Sequence, residues 1–127
     1  MRPEDNPQDW HQQKTYESMI TYGINAVKFV LIANGGAILS ILTFLGNHPD
    51  RINCIKPALI LFMIGVICGG AVNITAYLTQ LSLFNQRTYA VRKLHDHRTW
   101  LYVSMALIGL GTLCFAVGGF VAIVALQ

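Results

Sequence analysis

Apolar residues occur along this chain in three long runs that polar segments separate. Residues 19–44 contain one charged residue, Lys28, and residues 57–86 and 99–127 contain none. A helix needs about 20 apolar residues to cross the roughly 30 Å hydrocarbon layer of a membrane. The runs are continuous, without the in–out alternation of a membrane barrel strand. We therefore predict an all-α integral membrane protein with transmembrane helices over about 22–45, 57–84 and 99–125.

Turn-forming residues place the ends of the first helix. Asn6 and Pro7 fit the cap and first turn of a helix. That helix begins with an amphipathic cytoplasmic segment over 1–21 and runs directly into the first span. Gly46 followed by Pro49 is typical of a helix C-terminus.

The second helix is predicted to extend beyond the membrane. We expect a short loop over about 46–56 and Pro57 in the first turn of this helix. Residues 71–108 contain neither glycine nor proline, so the sequence gives the helix no reason to stop at the membrane surface. It should continue to around Arg92 before a turn leads to the third helix. The prediction is a single domain over 1–127, with three long helices whose ends form a cytoplasmic layer.

Composition and charge placement set the class and the orientation. The chain is 54% hydrophobic and 12% charged, about half the charged share of an ordinary soluble domain. This excludes a soluble enzyme, a disordered tail and a disulfide-stapled secreted module. Seven basic residues lie on the side of the N-terminus, and two lie on the other: Arg2, Lys14, Lys28, Arg87, Arg92, Lys93 and Arg98, against Arg51 and Lys56. The positive-inside rule then predicts a cytoplasmic N-terminus.

Small residues recur along every predicted span. The candidate helix-packing glycines are Gly35, Gly36, Gly65, Gly69, Gly111 and Gly118. Small residues four apart let membrane helices approach closely. Three helices cannot use every such face, so we predict a homo-oligomer in the lipid bilayer. The alternative is that glycine is simply frequent in membrane helices.

Among the polar residues of the spans we single out the amide side chains Asn34, Asn73 and Gln80. An amide in hydrocarbon needs a hydrogen-bond partner or water. One interpretation is that these residues bond between helices, and the other is that they line a water-filled path. The spans contain no acidic residue and no histidine in their middle, which argues against a proton relay or an ion-coupled transporter.

The second loop carries four basic residues: Arg87, Arg92, Lys93 and Arg98. Pairing with the acidic N-terminal segment and attraction to anionic lipid explain this charge. Metal binding by His95 and His97 with His11 is a sharper alternative, although we expect no resident metal or cofactor. Arg92 and His97 also match the R-x4-6-H pattern of HEPN-type ribonucleases, where the pair would position and protonate at a scissile phosphate.

The stretch KFVLIANGGAILSILTFLGN over 28–47 resembles a pattern in short, largely uncharacterised bacterial inner-membrane proteins. In these proteins an apolar NGGA stretch precedes a phenylalanine and a helix-ending glycine. The resemblance extends to the second apolar segment with its paired glycines. It implies a bacterial inner-membrane location and carries over no catalytic residue. The pair Arg92 and His97 resembles CRISPR-associated membrane accessories with HEPN-like motifs, and transfers no function.

These features predict a small pore-forming or membrane-permeabilising protein, of the defence or lysis-effector type, that is not an enzyme. Asn34, Asn73 and Gln80 would be candidates for the pore lining. The alternative is a non-conducting interaction subunit whose basic loop docks a cytosolic protein or lipid. The third hypothesis is a HEPN-like nuclease that uses Arg92 and His97; otherwise we expect no nucleic-acid partner.

Overall fold

A computed structural model describes the backbone of residues 7–89 and 97–126, and the side chains of 10–81 and 98–126. The chain forms three α-helices and one short 3₁₀ turn. The elements are α1 (Pro7–Asn47), the 3₁₀ turn (Pro49–Arg51), α2 (Ile52–Tyr89) and α3 (His97–Leu126). All three helices are long and apolar enough to cross a membrane. The prediction of an all-α protein with three such helices is confirmed.

The connection between α1 and α2 is tighter than the predicted loop over about 46–56. The backbone N–H of His48 donates to the carbonyl of Phe44 at 3.0 Å, which continues the last turn of α1. The N–H of Arg51 then donates to the carbonyl of His48 at 3.1 Å and closes the 3₁₀ turn. The imidazole of His48 also lies against the Phe44 ring, with ring centroids 4.7 Å apart. His48 therefore takes part in both backbone hydrogen bonds of this reversal.

The expected position of Pro57 in the first turn of the second helix is wrong. Helix α2 already begins at Ile52, and Pro57 lies inside it. Proline lacks the N–H that would pair with the carbonyl four residues earlier, here that of Asn53. Asn53 is exposed in the first turn of α2, so solvent can supply a donor to that carbonyl. The proline is thus tolerated and does not define the helix start.

Two other predicted helix ends border on residues that the structure does not describe. The described part of α1 starts at Pro7, so the predicted cap Asn6 lies outside it, and α2 extends beyond Phe84 to Tyr89. The turn expected near His95 and Asp96 lies outside the described residues. At about 1.5 Å per residue, both α1 and α2 are well over 50 Å long, which exceeds the thickness of a hydrocarbon layer.

The helices α2 and α3 form the most closely packed pair, and α1 packs mainly on α2. The buried apolar side chains among the described residues are Val30, Ile55, Ala58, Phe62, Cys68, Val72 and Cys114. The Phe115 ring lies 6.0 Å from the Phe62 ring and 6.1 Å from the Phe29 ring, centroid to centroid. These contacts link all three helices in one narrow core.

The N-terminal part of α1 leaves this core. Every described side chain over 10–25 is exposed. Its local contacts stay within the helix: the Lys14 ammonium lies 4.6 Å from the Trp10 ring centroid, and the Gln13 amide donates to Glu17 at 3.3 Å. The part of α1 that packs on the other helices therefore begins near Ala26.

Candidate functional site

The three helices meet most closely at Asn34 of α1, Gly65 of α2 and Gly111 of α3. Asn34 is completely buried. Its Nδ2 donates to the carbonyl of Val30 in its own helix at 2.8 Å and to the carbonyl of Gly111 at 3.2 Å. We call the contact of Asn34, Gly65 and Gly111 the asparagine node. It joins α1 to the α2–α3 pair through a polar group inside an apolar core.

Glycine is needed on both helices that face Asn34. A Cβ atom at Gly65 would lie 2.7 Å from Asn34 Nδ2 and would overlap Asn34 Cγ and Oδ1. A Cβ atom at Gly111 would lie 2.6 Å from Cγ1 of Val30. Neither gap admits a methyl group unless the buried neighbour moves. The backbones of α2 and α3 thus approach α1 only because both positions lack a side chain.

The Oδ1 atom of Asn34 is buried and accepts no hydrogen bond from the described residues. It lies where a side chain at Gly65 would begin, so an α-hydrogen of Gly65 points at it. Contacts of this Cα–H···O kind recur at helix–helix interfaces and are weak. The Oδ1 atom of Asn34 is therefore packed against Gly65 and has no strong donor among the described residues.

The remaining predicted packing glycines divide into two groups. A Cβ atom at Gly69 would lie 2.8 Å from Leu31 Cδ2, and one at Gly118 would lie 2.9 Å from Phe62 Cε1. Both positions are close contacts between helices. By contrast, nothing lies within 4 Å of a Cβ atom built at Gly35 or Gly36. These two glycines of α1 face open space in the single chain.

The three candidate amides do not come together. Asn34 is buried, whereas Asn73 and Gln80 are exposed on the outside of α2. Neither exposed amide makes a hydrogen bond to a described residue. Gly70 and Tyr77 share their side of the helix, and the Tyr77 side chain is 66% exposed. The expectation that Asn73 and Gln80 share a face with Tyr77 agrees with this arrangement.

Sequence reasoning missed two polar features. Asn25 of α1 is a further exposed amide without a hydrogen bond to the described residues. Thr75 of α2 and Ser104 of α3 are joined by a hydrogen bond of 2.6 Å between their hydroxyl oxygens. Each hydroxyl also lies near a carbonyl of its own helix. Since each has one proton, one of the two donates across the interface. Hydroxyl residues are too frequent in membrane helices for the sequence to single out this pair.

Most of the predicted basic and catalytic side chains cannot be placed. Arg98 is exposed at the start of α3. Arg92, Lys93 and His95, together with the side chains of Arg87 and His97, lie outside the described residues. Among the side chains that the structure describes, no three histidine, cysteine, aspartate or glutamate residues are grouped as metal ligands.

Comparisons with known proteins give no relative: no family model, no curated protein and no solved structure matches this chain. The candidate site is therefore assigned from its own geometry. It consists of the buried asparagine node inside the chain and two exposed amides of α2, Asn73 and Gln80, outside it.

Proposed function

We propose that the protein is a homo-oligomer in a bacterial inner membrane that forms a pore, with the conduit between copies of the chain. The pore would permeabilise the membrane, as in a defence or lysis-type effector. The N-terminus would be cytoplasmic, following the excess of basic residues on that side. The observation that carries the proposal is the position of Asn73, an exposed amide on a helix that is apolar enough to span a membrane.

The positions of aromatic residues support this placement in the membrane. At about 1.5 Å per residue, Tyr22, Tyr77 and Tyr102 lie about 14–18 Å to one side of the asparagine node. The start of α2 lies about 20 Å to the other side by the same measure. Tyrosine and tryptophan favour the membrane–water interface. The hydrocarbon layer therefore fits between these levels, with the asparagine node near its middle.

This frame separates Asn73 from Gln80. Asn73 is eight residues from Gly65 along α2, or about 12 Å. In the proposed frame it would lie inside the hydrocarbon layer, close to the edge that Tyr102 marks. Gln80 is about 22 Å from Gly65 and lies at the headgroups. An amide exposed to lipid leaves its donors and acceptors without partners, which is unfavourable. Asn73 therefore calls for water or another protein chain beside α2.

Among the described residues, the space between the three helices of one chain is filled by side chains, so the water beside Asn73 would not lie there. Side chains of Val30, Phe62 and Val72 fill the space between the helices, and Asn34 is sealed by Gly65 and Gly111. Of the predicted lining residues, Asn34 is thus assigned to helix packing. Asn73 and Gln80 remain candidates for the lining, and both lie on the outer surface. A conduit bounded by several copies is the arrangement that uses them.

Ion flux into liposomes tests the proposal. We expect the fluorescence of an ion-sensitive dye inside the liposomes to change when purified protein is present, because ions enter. The rate of this change should rise more steeply than linearly with the protein-to-lipid ratio. Replacing Asn73 with leucine should reduce the flux strongly, whereas Ile74→Leu, at a neighbouring exposed position of α2, should leave it unchanged.

Absence of flux at every protein density, with insertion verified, would refute the pore. The predicted alternative, a non-conducting subunit that docks a cytosolic partner or lipid through its basic loop, would then be favoured. The nuclease hypothesis is tested separately by replacing Arg92 and His97 with alanine. An RNA-cleaving activity lost in that variant would contradict the pore as the sole function.

A further inference from the structure

The exposed surface of α2 is divided lengthwise into a polar and an apolar strip. Gly70, Asn73, Tyr77 and Gln80 follow one another at intervals of three, four and three residues, and all four are exposed. We call this row the amide strip. Ile67, Ile74 and Leu81 repeat at intervals of seven, and all three are exposed beside it. The amides therefore lie along one side of α2 instead of being scattered over its surface.

From this arrangement we propose that the amide strip is the surface by which copies of the chain assemble, with parallel α2 helices gathered around the oligomer axis. The inference rests on the homo-oligomer of the proposed function and adds its interface. Ile67, Ile74 and Leu81 would then face lipid.

The spacing of the amide strip fits packing between like helices. Residues that alternate at intervals of three and four stay on the seam between helices that cross at a small angle. In a cyclic oligomer, the same residue of each copy lies at the same depth around the axis. Asn73 of every copy thus forms one ring, and Tyr77 forms another about 6 Å further along.

Hydrogen-bonding complementarity identifies the occupant as a second copy. Each carboxamide carries both a positive N–H end and a negative carbonyl end. The Asn73 amide of one copy can therefore donate to the Asn73 carbonyl oxygen of the next, all around the ring. A lipid chain offers neither a donor nor an acceptor. A single polar residue in such a seam is also a known means of fixing register and the number of helices.

The local geometry of Gly70 is consistent with close approach. Nothing lies within 4 Å of a Cβ atom built at this position. Gly70 lies about 5 Å from Asn73 along the helix, so the backbones of neighbouring copies can come together beside the amide ring. The amide ring itself then forms the narrowest polar level of the conduit.

Cysteine cross-linking of the full-length protein in membranes tests this interface. Exposed Cys54 is first replaced with serine, and the buried Cys68 and Cys114 are kept. Single cysteines are then introduced as Asn73→Cys or Tyr77→Cys on the amide strip. Ile74→Cys serves as the matched control, since it is similarly exposed and next to Asn73 in depth. Copper-catalysed oxidation and a short bismaleimide give the fraction of cross-linked dimer.

We expect several-fold more cross-linked dimer from Asn73→Cys and Tyr77→Cys than from Ile74→Cys. Equal cross-linking at all positions, or cross-linking favoured at Ile74→Cys, would overturn the interface. A further variant, Asn25→Cys, tests α1 instead. Dimers formed there, with none at Asn73→Cys or Tyr77→Cys, would place α1 at the axis and also overturn it.

The same preparations are assayed for ion flux in the Cys54→Ser parent, which separates the two proposals. Flux in the parent without cross-links on the amide strip would refute this interface and leave the pore standing. Cross-links on the amide strip without flux in the parent would refute the pore and leave the interface standing.

Discussion

Adding one methyl group at Gly65 is predicted to break the asparagine node. The Cβ atom of Gly65→Ala would lie 2.7 Å from Nδ2 of Asn34, and it would overlap the rest of that amide. Asn34 is fully buried and has no space to move into without disturbing Val30 or Gly111. Either α1 shifts away from α2, or the Asn34 side chain loses its bond to α3.

The size of the effect follows from three terms. Overpacking a close-packed core costs about 1–3 kcal/mol. Loss of the Asn34–Gly111 hydrogen bond adds about 0.6 kcal/mol, the average for such bonds in membrane proteins. Alanine is favoured over glycine within a helix by about 1 kcal/mol. The net loss in free energy of unfolding is therefore about 0.6–2.6 kcal/mol.

Two further variants make the test specific. Gly109→Ala in α3 has the same change in helix propensity, but nothing lies within 4 Å of the added atom, so its stability should be equal or higher. In an Asn34→Ala background the atoms that the new methyl group meets are gone. Gly65→Ala should then raise the stability by about 1 kcal/mol, which gives a coupling of about 1.6–3.6 kcal/mol in a double-mutant cycle.

The buried cysteines supply the assay. Cys68 and Cys114 are buried in the folded chain, whereas Cys54 is exposed. In a Cys54→Ser background, the fraction of sodium dodecyl sulfate in mixed micelles is raised stepwise, and the rate of maleimide labelling is measured at each step. An increase in this rate reports unfolding, because unfolding exposes Cys68 and Cys114. The reasoning is refuted if Gly65→Ala is no less stable than Gly109→Ala, or if the effects of Gly65→Ala and Asn34→Ala simply add.

Two other predictions concern packing and orientation. Replacing Thr75 with valine removes the 2.6 Å hydrogen bond to Ser104 and should lower the free energy of unfolding by about 0.6 kcal/mol. The hydroxyl of Thr79 donates within its own helix, so Thr79→Val should lower the free energy of unfolding less. Equal effects of the two variants in the same micelle titration would contradict this. A membrane-impermeant maleimide added to intact cells should label Cys54, since the connection between α1 and α2 is predicted to face outward. Labelling only after the cells are opened would invert the proposed topology.

The helices themselves could be predicted from the sequence because their signal is long. Three apolar runs, with Lys28 as the single charge inside them, leave few alternatives. The start of α2 could not be predicted from Pro57, because proline is tolerated both in the first turn of a helix and a few residues after it. Its placement depends on the short turn around His48, which the sequence pattern does not reveal.

The roles of the amides could not be predicted, because burial depends on which helix faces which. Asn34 and Asn73 have similar apolar surroundings in sequence, yet one is sealed between three helices and the other is exposed. Gly36 and Gly65 likewise belong to similar small-residue patterns. Only Gly65 lies opposite a buried side chain, and this follows from the rotation of α2 relative to α1.

The central claim, that ions pass between copies beside Asn73, is tested most directly by the reversal potential of Asn73→Asp in planar bilayers under a potassium chloride gradient. A ring of carboxylates at this level would attract cations and exclude anions. We predict a shift of the reversal potential from the wild-type value towards the potassium equilibrium potential. Because protonation neutralises a carboxylate, this shift should diminish as the pH is lowered. A conducting variant with the wild-type reversal potential at every pH would contradict the account.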